Sequence, residues 1–348
     1  MSDVAIGSGA GATAPAPAEE GQASLGRRLL SEFIGTTLFV AIGTGVATAV
    51  TMGVMRKVGG VPDQVLEQPG QLTFYRNLFD GGFGDTLAIA FAFATALAVL
   101  VYALGGVSGA HFNPAVTISL AVARRFRWAD VAPYVIVQCI GGIAGAFIIA
   151  GIYGESGASF SDRDIFFGAT TVPGNVEFVN ALLAEAFIGF ILVTAIMAIA
   201  VDPRAPKGWS GLVIGLGLAA GILATAAATG GSANLARSLG PFVASIFYGD
   251  VIVGEIPWKD LLVYGFGPLI GGMAAALVYE SVTGLETVAP APRPGAATPP
   301  GDEIIGDNGL IDEAGATSDE VVSDDGLLNQ PGSGPGGPPP YNPPSGRS

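Results

Sequence analysis

Hydrophobic residues run along this chain in blocks of about twenty with almost no charge inside them, separated by stretches where Arg, Asp, Glu, Pro and Gly gather. A helix rises about 1.5 Å per residue, so roughly twenty apolar residues cross the ~30 Å hydrocarbon core of a bilayer. Six blocks meet that length: 29–53, 85–104, 131–153, 178–201, 209–229 and 259–280. Two further apolar runs, 114–123 and 235–247, are only ten to thirteen residues long. As helices they would reach about 15–20 Å, the length of re-entrant segments. Backbone that stops at mid-membrane must be buried in protein or line a watery cavity, because lipid offers its N–H groups no acceptor.

The chain also repeats itself. SEFIGTTLFV at 31–40 returns as AEAFIGFILV at 184–193, GAHFNPA at 109–115 as GSANLAR at 231–237, and GGIAGA at 141–146 as GGMAAA at 271–276. Glu32 to Asn113 spans 81 residues and Glu185 to Asn234 spans 49; the excess of 32 matches a polar insertion at 54–84. Three spans per repeat, an odd number, force the second copy to lie upside down relative to the first. The two half-helices then enter from opposite sides and meet near the midplane. Gly141 with Gly145, Gly211 with Gly215, Gly217 with Gly221, and Gly267 with Gly271 are spaced for close helix packing.

Composition narrows the classes further. Only 13% of the residues are charged and 50% are hydrophobic, against about 25% charged in a soluble domain. With a mean hydropathy of +0.55, this predicts an all-α membrane protein of six transmembrane helices plus two half-helices. Of the net charge of −14, the segment after Ser281 supplies −8, from ten acidic residues against Arg293 and Arg347. The fifteen Lys and Arg are scattered over loops rather than gathered on one face, which excludes a nucleic-acid partner. Cys139 is the sole cysteine and His111 the sole histidine, so no intrachain disulfide, Cys cage or multi-His metal site is available, and no cofactor is expected. Residues 1–25 lack the basic and apolar regions of a signal peptide.

Arg27, Arg28, Arg124, Arg125, Arg127, Arg204 and Lys207 fall on one side of the predicted topology, whereas Asp63, Glu67, Asp80, Glu155, Asp162, Asp164 and Glu177 fall on the other. That asymmetry places both termini in the cytoplasm. Residues 1–26 and 284–348 read as disordered tails, the second acidic and holding half of the prolines. Between them lies one membrane domain, 27–283, with repeats at 27–153 and 178–283.

The strongest chemical signal is SGAHFNPAVT at 108–117 paired with GGSANLARSLGP at 230–241. In each, small residues lead into an Asn that opens an apolar half-helix. Asn is a good helix cap, and Pro114 at the first helical position gives up an N–H that had no partner. With their oxygens turned to their own backbones, Asn113 and Asn234 would leave two amide NH2 groups pointing into a central cavity. The positive ends of two half-helix dipoles converge there. Such donors hold a water or hydroxyl oxygen, and the field opposes cations, hydronium included.

On these residues the chain resembles the aquaporin, or major intrinsic protein, family over about 27–283. The resemblance rests on the paired motifs Asn113-Pro114-Ala115 and Asn234-Leu235-Ala236, the repeat-opening Glu32 and Glu185, and Arg237 directly after the second motif. Leu235 departs from the proline usual there. The resemblance implies a passive channel rather than an enzyme, with no catalytic residues. Glu32 and Glu185 would accept hydrogen bonds from the re-entrant loops, His111 would pack a loop, and Arg237 would face the pore. It further implies a selectivity ring on the outer side. Counting from the motifs, twenty residues before Asn113, fifteen and six before Arg237, gives Phe93, Ile222 and Gly231 as its members with Arg237.

Water-selective relatives carry histidine at the position of Ile222. Glycerol facilitators carry glycine there, an aromatic at Gly231 and aspartate at Ser238. Ser238 and Tyr264 lean toward the water branch, while Phe242 and Gly265 fit neither. The Ile, Gly, Arg combination resembles certain plant members that pass water with ammonia or other small neutral solutes. A homotetramer in the plasma membrane is implied, with water, small neutral solutes (ammonia, glycerol, urea) and bilayer lipid as partners.

Three other readings compete. A strictly water-selective channel shares every motif. A proton-coupled transporter would use Glu32, Glu185 or His111 as its titrating group, since inverted repeats and broken helices are also transporter features. A non-conducting scaffold would use the acidic tail to bind a partner. Gly154-Glu155-Ser156-Gly157 echoes a serine-nucleophile motif, but it lies in a polar loop with only His111 to serve as base.

Overall fold

The computed structural model describes residues 23–59, 83–158, 166–248 and 256–285. Most of the 54–84 insertion, both tails beyond these limits, and Asp63, Glu67, Asp80, Asp162 and Asp164 lie outside the described residues. Among the described residues, six helices are long and apolar enough to cross a membrane. They are α1 (Leu25–Gly59), α2 (Phe83–Ser108), α4 (Trp128–Tyr153), α5 (Phe178–Ile196), α6 (Ser210–Thr229) and α8 (Asp260–Thr283), and the half-helices are α3 (Pro114–Val122) and α7 (Leu235–Ser245). No strand occurs among the described residues.

The expected spans match these elements closely, with two differences. The first helix starts at Leu25 and runs on to Gly59, beyond the predicted 29–53. Its charged first turn is hidden from a hydropathy pattern because Arg28 is buried: its Nη1 donates to Asp130 Oδ2 at 3.0 Å and its Nε to the Tyr134 hydroxyl at 2.9 Å. The fourth span ends in a π-helical turn, Met197–Val201, closed by Asp202 N–H donating to Met197 O at 2.9 Å.

Packing follows the repeat. α1 packs on α2 and α4 as α5 packs on α6 and α8, and α2 meets α6 across the middle. Each half-helix lies on the last helix of the other repeat, α3 on α8 and α7 on α4. Glycine makes these approaches possible. A Cβ on Gly145 would collide with Thr37 O of α1, on Gly271 with Ala186 O of α5, on Gly215 with Ala94 O of α2, and on Gly221 with the Ile188 side chain. Gly142 and Gly240 bring α4 and α7 into backbone contact in the same way. The four glycine pairs spaced for close helix packing are all spent inside the protomer, because the crossings of this bundle leave no room for side chains. The outward faces carry large apolar side chains instead, such as Leu38, Phe91, Ile140, Leu183, Leu216 and Phe266.

Three arginines are paired at one end of the bundle. Arg28 pairs with Asp130, Arg125 with Glu280, and Arg204 with Asp202 while also donating to Thr283 O. The Tyr279 hydroxyl closes this last cluster on Asp202 Oδ2 at 2.9 Å. Hydrogen bonds from the Arg204 side chain and backbone N–H hold the Asp202 carboxyl well below the usual carboxylate range. At the opposite end, the serine echo forms a short helical turn, Glu155–Ala158, whose Gly157 backs onto Phe167.

Candidate functional site

The two loops that open the half-helices have the same backbone. Gly109, Ala110 and Phe112 take positive φ (89°, 51°, 48°), and so do Gly230, Gly231 and Ala233 at the matching positions (78°, 66°, 57°). Left-handed backbone at a residue with a Cβ costs of the order of 1–3 kcal/mol and persists only where the surroundings fix it. A buried glutamate does so in each repeat. Glu32 accepts from the Ser108 hydroxyl (2.6 Å), His111 N–H (3.0 Å), Phe112 N–H (2.7 Å) and Gln138 Nε2 (2.8 Å). Glu185 accepts from the Thr229 hydroxyl (2.7 Å), Ser232 N–H (2.9 Å) and Ala233 N–H (2.8 Å).

Each Asn caps its helix as the sequence predicts. Asn113 Oδ1 accepts from Ala115 N–H at 2.9 Å, and Asn234 Oδ1 from Ala236 N–H at 2.9 Å and Arg237 N–H at 3.4 Å. The amide NH2 groups are less free than expected, because each spends one hydrogen on the opposite loop. Asn113 Nδ2 donates to Ala233 O at 2.7 Å and Asn234 Nδ2 to Phe112 O at 2.8 Å. An NH2 group has two hydrogens, so one per Asn remains for the cavity. The positive φ at Phe112 and Ala233 belongs to the same exchange, since these two residues supply the accepting carbonyls.

A cavity of about 60 Å³ runs from this pair between α2, α3, α5 and α6. Its walls are Phe39, Leu97, Val101, Val116, Leu120, Leu192, Ile196, Ile214 and Leu218, and its polar lining is the two loops with His111, Asn113, Ser232 and Asn234. A water needs at least about 10–15 Å³ of such space, so the cavity has room for water. Glu32 and Glu185 do not line it. His111 does, with its Nδ1 3.1 Å from Thr117 Oγ1 and its ring edge-on to Phe126. The Thr117 proton is already given to Asn113 O at 3.0 Å, so the network assigns the Nδ1 proton to the histidine.

Farther out, Phe93 and Arg237 meet, with the guanidinium carbon 4.8 Å from the ring centroid. Phe93 fits against the bare backbone of Gly43, where a Cβ would overlap its ring. Ile222 and Gly231 meet likewise: a Cβ on Gly231 would stand 3.0 Å from Ile222 Cα. Glycine is required at 231 both by that distance and by its positive φ. Arg237 is 3% exposed, and its Nη1 has no hydrogen-bond partner among the described residues. Leu235 turns the other way. It lines an apolar groove of about 380 Å³ between α4 and α8, with Pro114, Ala115, Gly265 and Phe266, so the departure from proline lies behind the cavity and outside the Phe93, Ile222, Gly231, Arg237 group.

Pattern reading does not single out Ser108, Thr229, Gln138 or Thr117, although the repeat register carries a signal for two of them. Ser108 and Thr229 each stand five residues before their Asn and bond their glutamate. The same register pairs Tyr134 with Tyr264, whose hydroxyls donate to Ser108 O and Thr229 O, both at 2.9 Å.

Comparisons with known proteins agree with this geometry. The family model for major intrinsic proteins matches residues 20–279. Aquaporin AqpM of Methanothermobacter thermautotrophicus is 38% identical over 260 residues, covering 75% of this chain and 98% of that protein. Aquaporin NIP3-1 of Zea mays is 31% identical, covering 74% of this chain and 71% of that protein. The X-ray structure of the aquaglyceroporin from Plasmodium falciparum superposes with a TM-score of 0.57 at 22% identity, over 75% of this chain and 97% of that one, and carries the fold. With inverted repeats, crossed Asn caps and glutamate-held loops in place, this chain is a multi-pass membrane channel that belongs to the major intrinsic protein family.

Proposed function

We propose that the protein is a passive, uncoupled channel for water and the smallest neutral solutes, ammonia foremost, that excludes protons and ions. The observation that carries this reading is the make-up of the outer ring. Arg237 offers an unpartnered Nη1 on one side, while Ile222 and Gly231 supply only apolar surface and backbone on the other. A neutral solute with one or two polar atoms is satisfied by the arginine alone, whereas a polyol gives up hydration that an apolar wall does not replace. The half-helix dipoles and the arginine together put positive potential where a proton wire would cross. Relatives named as aquaporins support a water path.

The carboxylates support an uncoupled mechanism. Glu32 and Glu185 are fully buried and occupied by loop donors, outside the permeation path that a coupling group would need to line. Stopped-flow measurements on proteoliposomes should show osmotic water flux and ammonia entry, with no added proton leak in an internal pH dye. Solute accumulation against a gradient, or a pH gradient that collapses with the osmotic flux, overturns the reading in favour of a coupled transporter.

The assembly belongs to the same proposal: a homotetramer in the plasma membrane with both termini cytoplasmic. Since the glycine faces are used within the protomer, the contacts between subunits fall to the large apolar side chains outside. Crosslinking in mild detergent should give a ladder ending at four, and a strictly monomeric species with full activity refutes it.

A further inference from the structure

We propose that Thr170 is a positioning residue for the outer ring: its hydroxyl, acting through Ser238, fixes the half-helix that carries Arg237 and so sets how well the ring discriminates against solutes larger than water. The inference rests on the ring being the selective constriction, as proposed above, and adds to it a residue from outside the ring and outside both repeat motifs.

The two half-helices are tethered at the same place by different parts of the chain. Four residues after each Asn stands a buried hydroxyl, Thr117 in α3 and Ser238 in α7. In the first repeat, Thr117 Oγ1 accepts from Gln138 Nε2 at 2.9 Å and lies beside His111. The tether there is a side chain of α4, a rigid membrane helix. In the second repeat, the position matching Gln138 on α8 is Pro268, which has no side-chain donor. Ser238 Oγ lies 2.6 Å from Thr170 Oγ1 instead, and 2.6 Å from Ser232 Oγ, the counterpart of His111.

Proton counting fixes one end of this chain. Ser232 Oγ donates to Asn234 O at 3.0 Å, so its lone pair faces Ser238. Ser238 and Thr170 continue this line of hydroxyls, each 2.6 Å from the next, and Thr170 also faces the Tyr264 hydroxyl. Thr170 is 2% exposed and its methyl packs on Gly230, next to the ring residue Gly231. It therefore touches the loop beside Gly231 and, through Ser238, the half-helix that carries Arg237.

The segment that carries Thr170 is itself firmly seated. Phe167 is fully buried with Ala41, Ile149 and Ala244, and Gly168 takes positive φ where a Cβ would collide with Thr44 O. The Phe166 ring meets Phe242 of α7 edge-on, and Val172 N–H donates to Asp260 Oδ2 at 2.8 Å. A loop held on α1, α4, α7 and α8 transmits their positions to Ser238, the residue beside Arg237.

The test uses full-length protein in proteoliposomes and reads the ratio of ammonia to water permeability, with urea as a larger probe. Thr170→Val keeps the shape and the methyl contact but removes the hydroxyl. It should raise the ratio at least about threefold, which takes about 0.65 kcal/mol of selective barrier. Thr170→Ser restores the hydroxyl and should return the ratio to the wild-type value. Ser238→Ala should shift the ratio as Thr170→Val does, and it decides the matter if the valine variant fails to fold. A role in folding alone would lower both permeabilities together and leave the ratio unchanged, and that outcome overturns the proposal. Ile222→His in the same series separates the two levels. If it shifts the ratio while Thr170→Val and Ser238→Ala do not, the ring stands and the tether is refuted. If none of the three shifts it, the ring reading fails and the tether with it.

Discussion

Replacing Glu185 or Glu32 with leucine should all but abolish the yield of folded, monodisperse protein in detergent. Glu185→Leu leaves the Thr229 hydroxyl and the N–H groups of Ser232 and Ala233 without an acceptor. Glu32→Leu strands four donors, including Gln138. Each buried orphan costs roughly 1–3 kcal/mol, so three of them take about 3–9 kcal/mol from a total stability usually of 5–15 kcal/mol. The left-handed residues Ala110, Phe112 and Ala233 would lose the bonds that hold them. Glu→Gln keeps one accepting oxygen and should fold, with reduced flux. The measurement is size-exclusion yield followed by stopped-flow water permeability, and normal values for both leucine variants refute the anchor role.

Those glutamates were legible in the sequence because charge in an apolar block is conspicuous and because it recurs at the same place in each repeat. The eight helical elements were legible for a related reason: hydrocarbon imposes a length on apolar runs, and the two runs of half that length had only one way to be satisfied. What the glutamates grip was half visible. Ser108 and Thr229 lie in register, yet a serine or threonine near a helix end is too common to stand out. The crossed bonds of Asn113 and Asn234 were not legible at all, since capping accounts for each Asn within its own helix and says nothing of the second loop 120 residues away. The use of the glycine pairs was similarly hidden. A spacing of four marks a face that permits close approach but does not name the helix that approaches, and here every partner proved to be internal. Thr170 has no counterpart in the repeat and no motif around it.

Ile222→His should convert the ring toward water alone. The histidine adds a polar side chain where Ile222, 2% exposed, packs as hydrocarbon against Gly231. A second polar group opposite Arg237 narrows the passage and offers water a second partner, so its desolvation is better compensated. Ammonia and urea permeability should fall about tenfold or more, which takes about 1.4 kcal/mol of added barrier, with water flux within about twofold of wild type on the same scale. Paired stopped-flow traces on one proteoliposome preparation give both numbers. Unchanged solute permeabilities place Ile222 outside the constriction, and a wild type that passes water alone removes the basis for the wider ring.

The exchange of bonds between the two loops has a consequence for how the protein is made. When Asn113 leaves the ribosome, the carbonyl that its amide will bind belongs to Ala233, 120 residues further on. At about 5–20 residues per second, that is roughly 6–24 s of synthesis during which the first loop has Glu32 and its own helix cap but no opposite loop. In that interval the Phe112 carbonyl and the Asn113 amide are without the partners they have in the finished fold. Closure comes only when the second repeat arrives inverted beside the first. A nascent chain arrested before Asn234 therefore carries the first loop without its crossed partner, and the paired site is whole only once the second repeat is made.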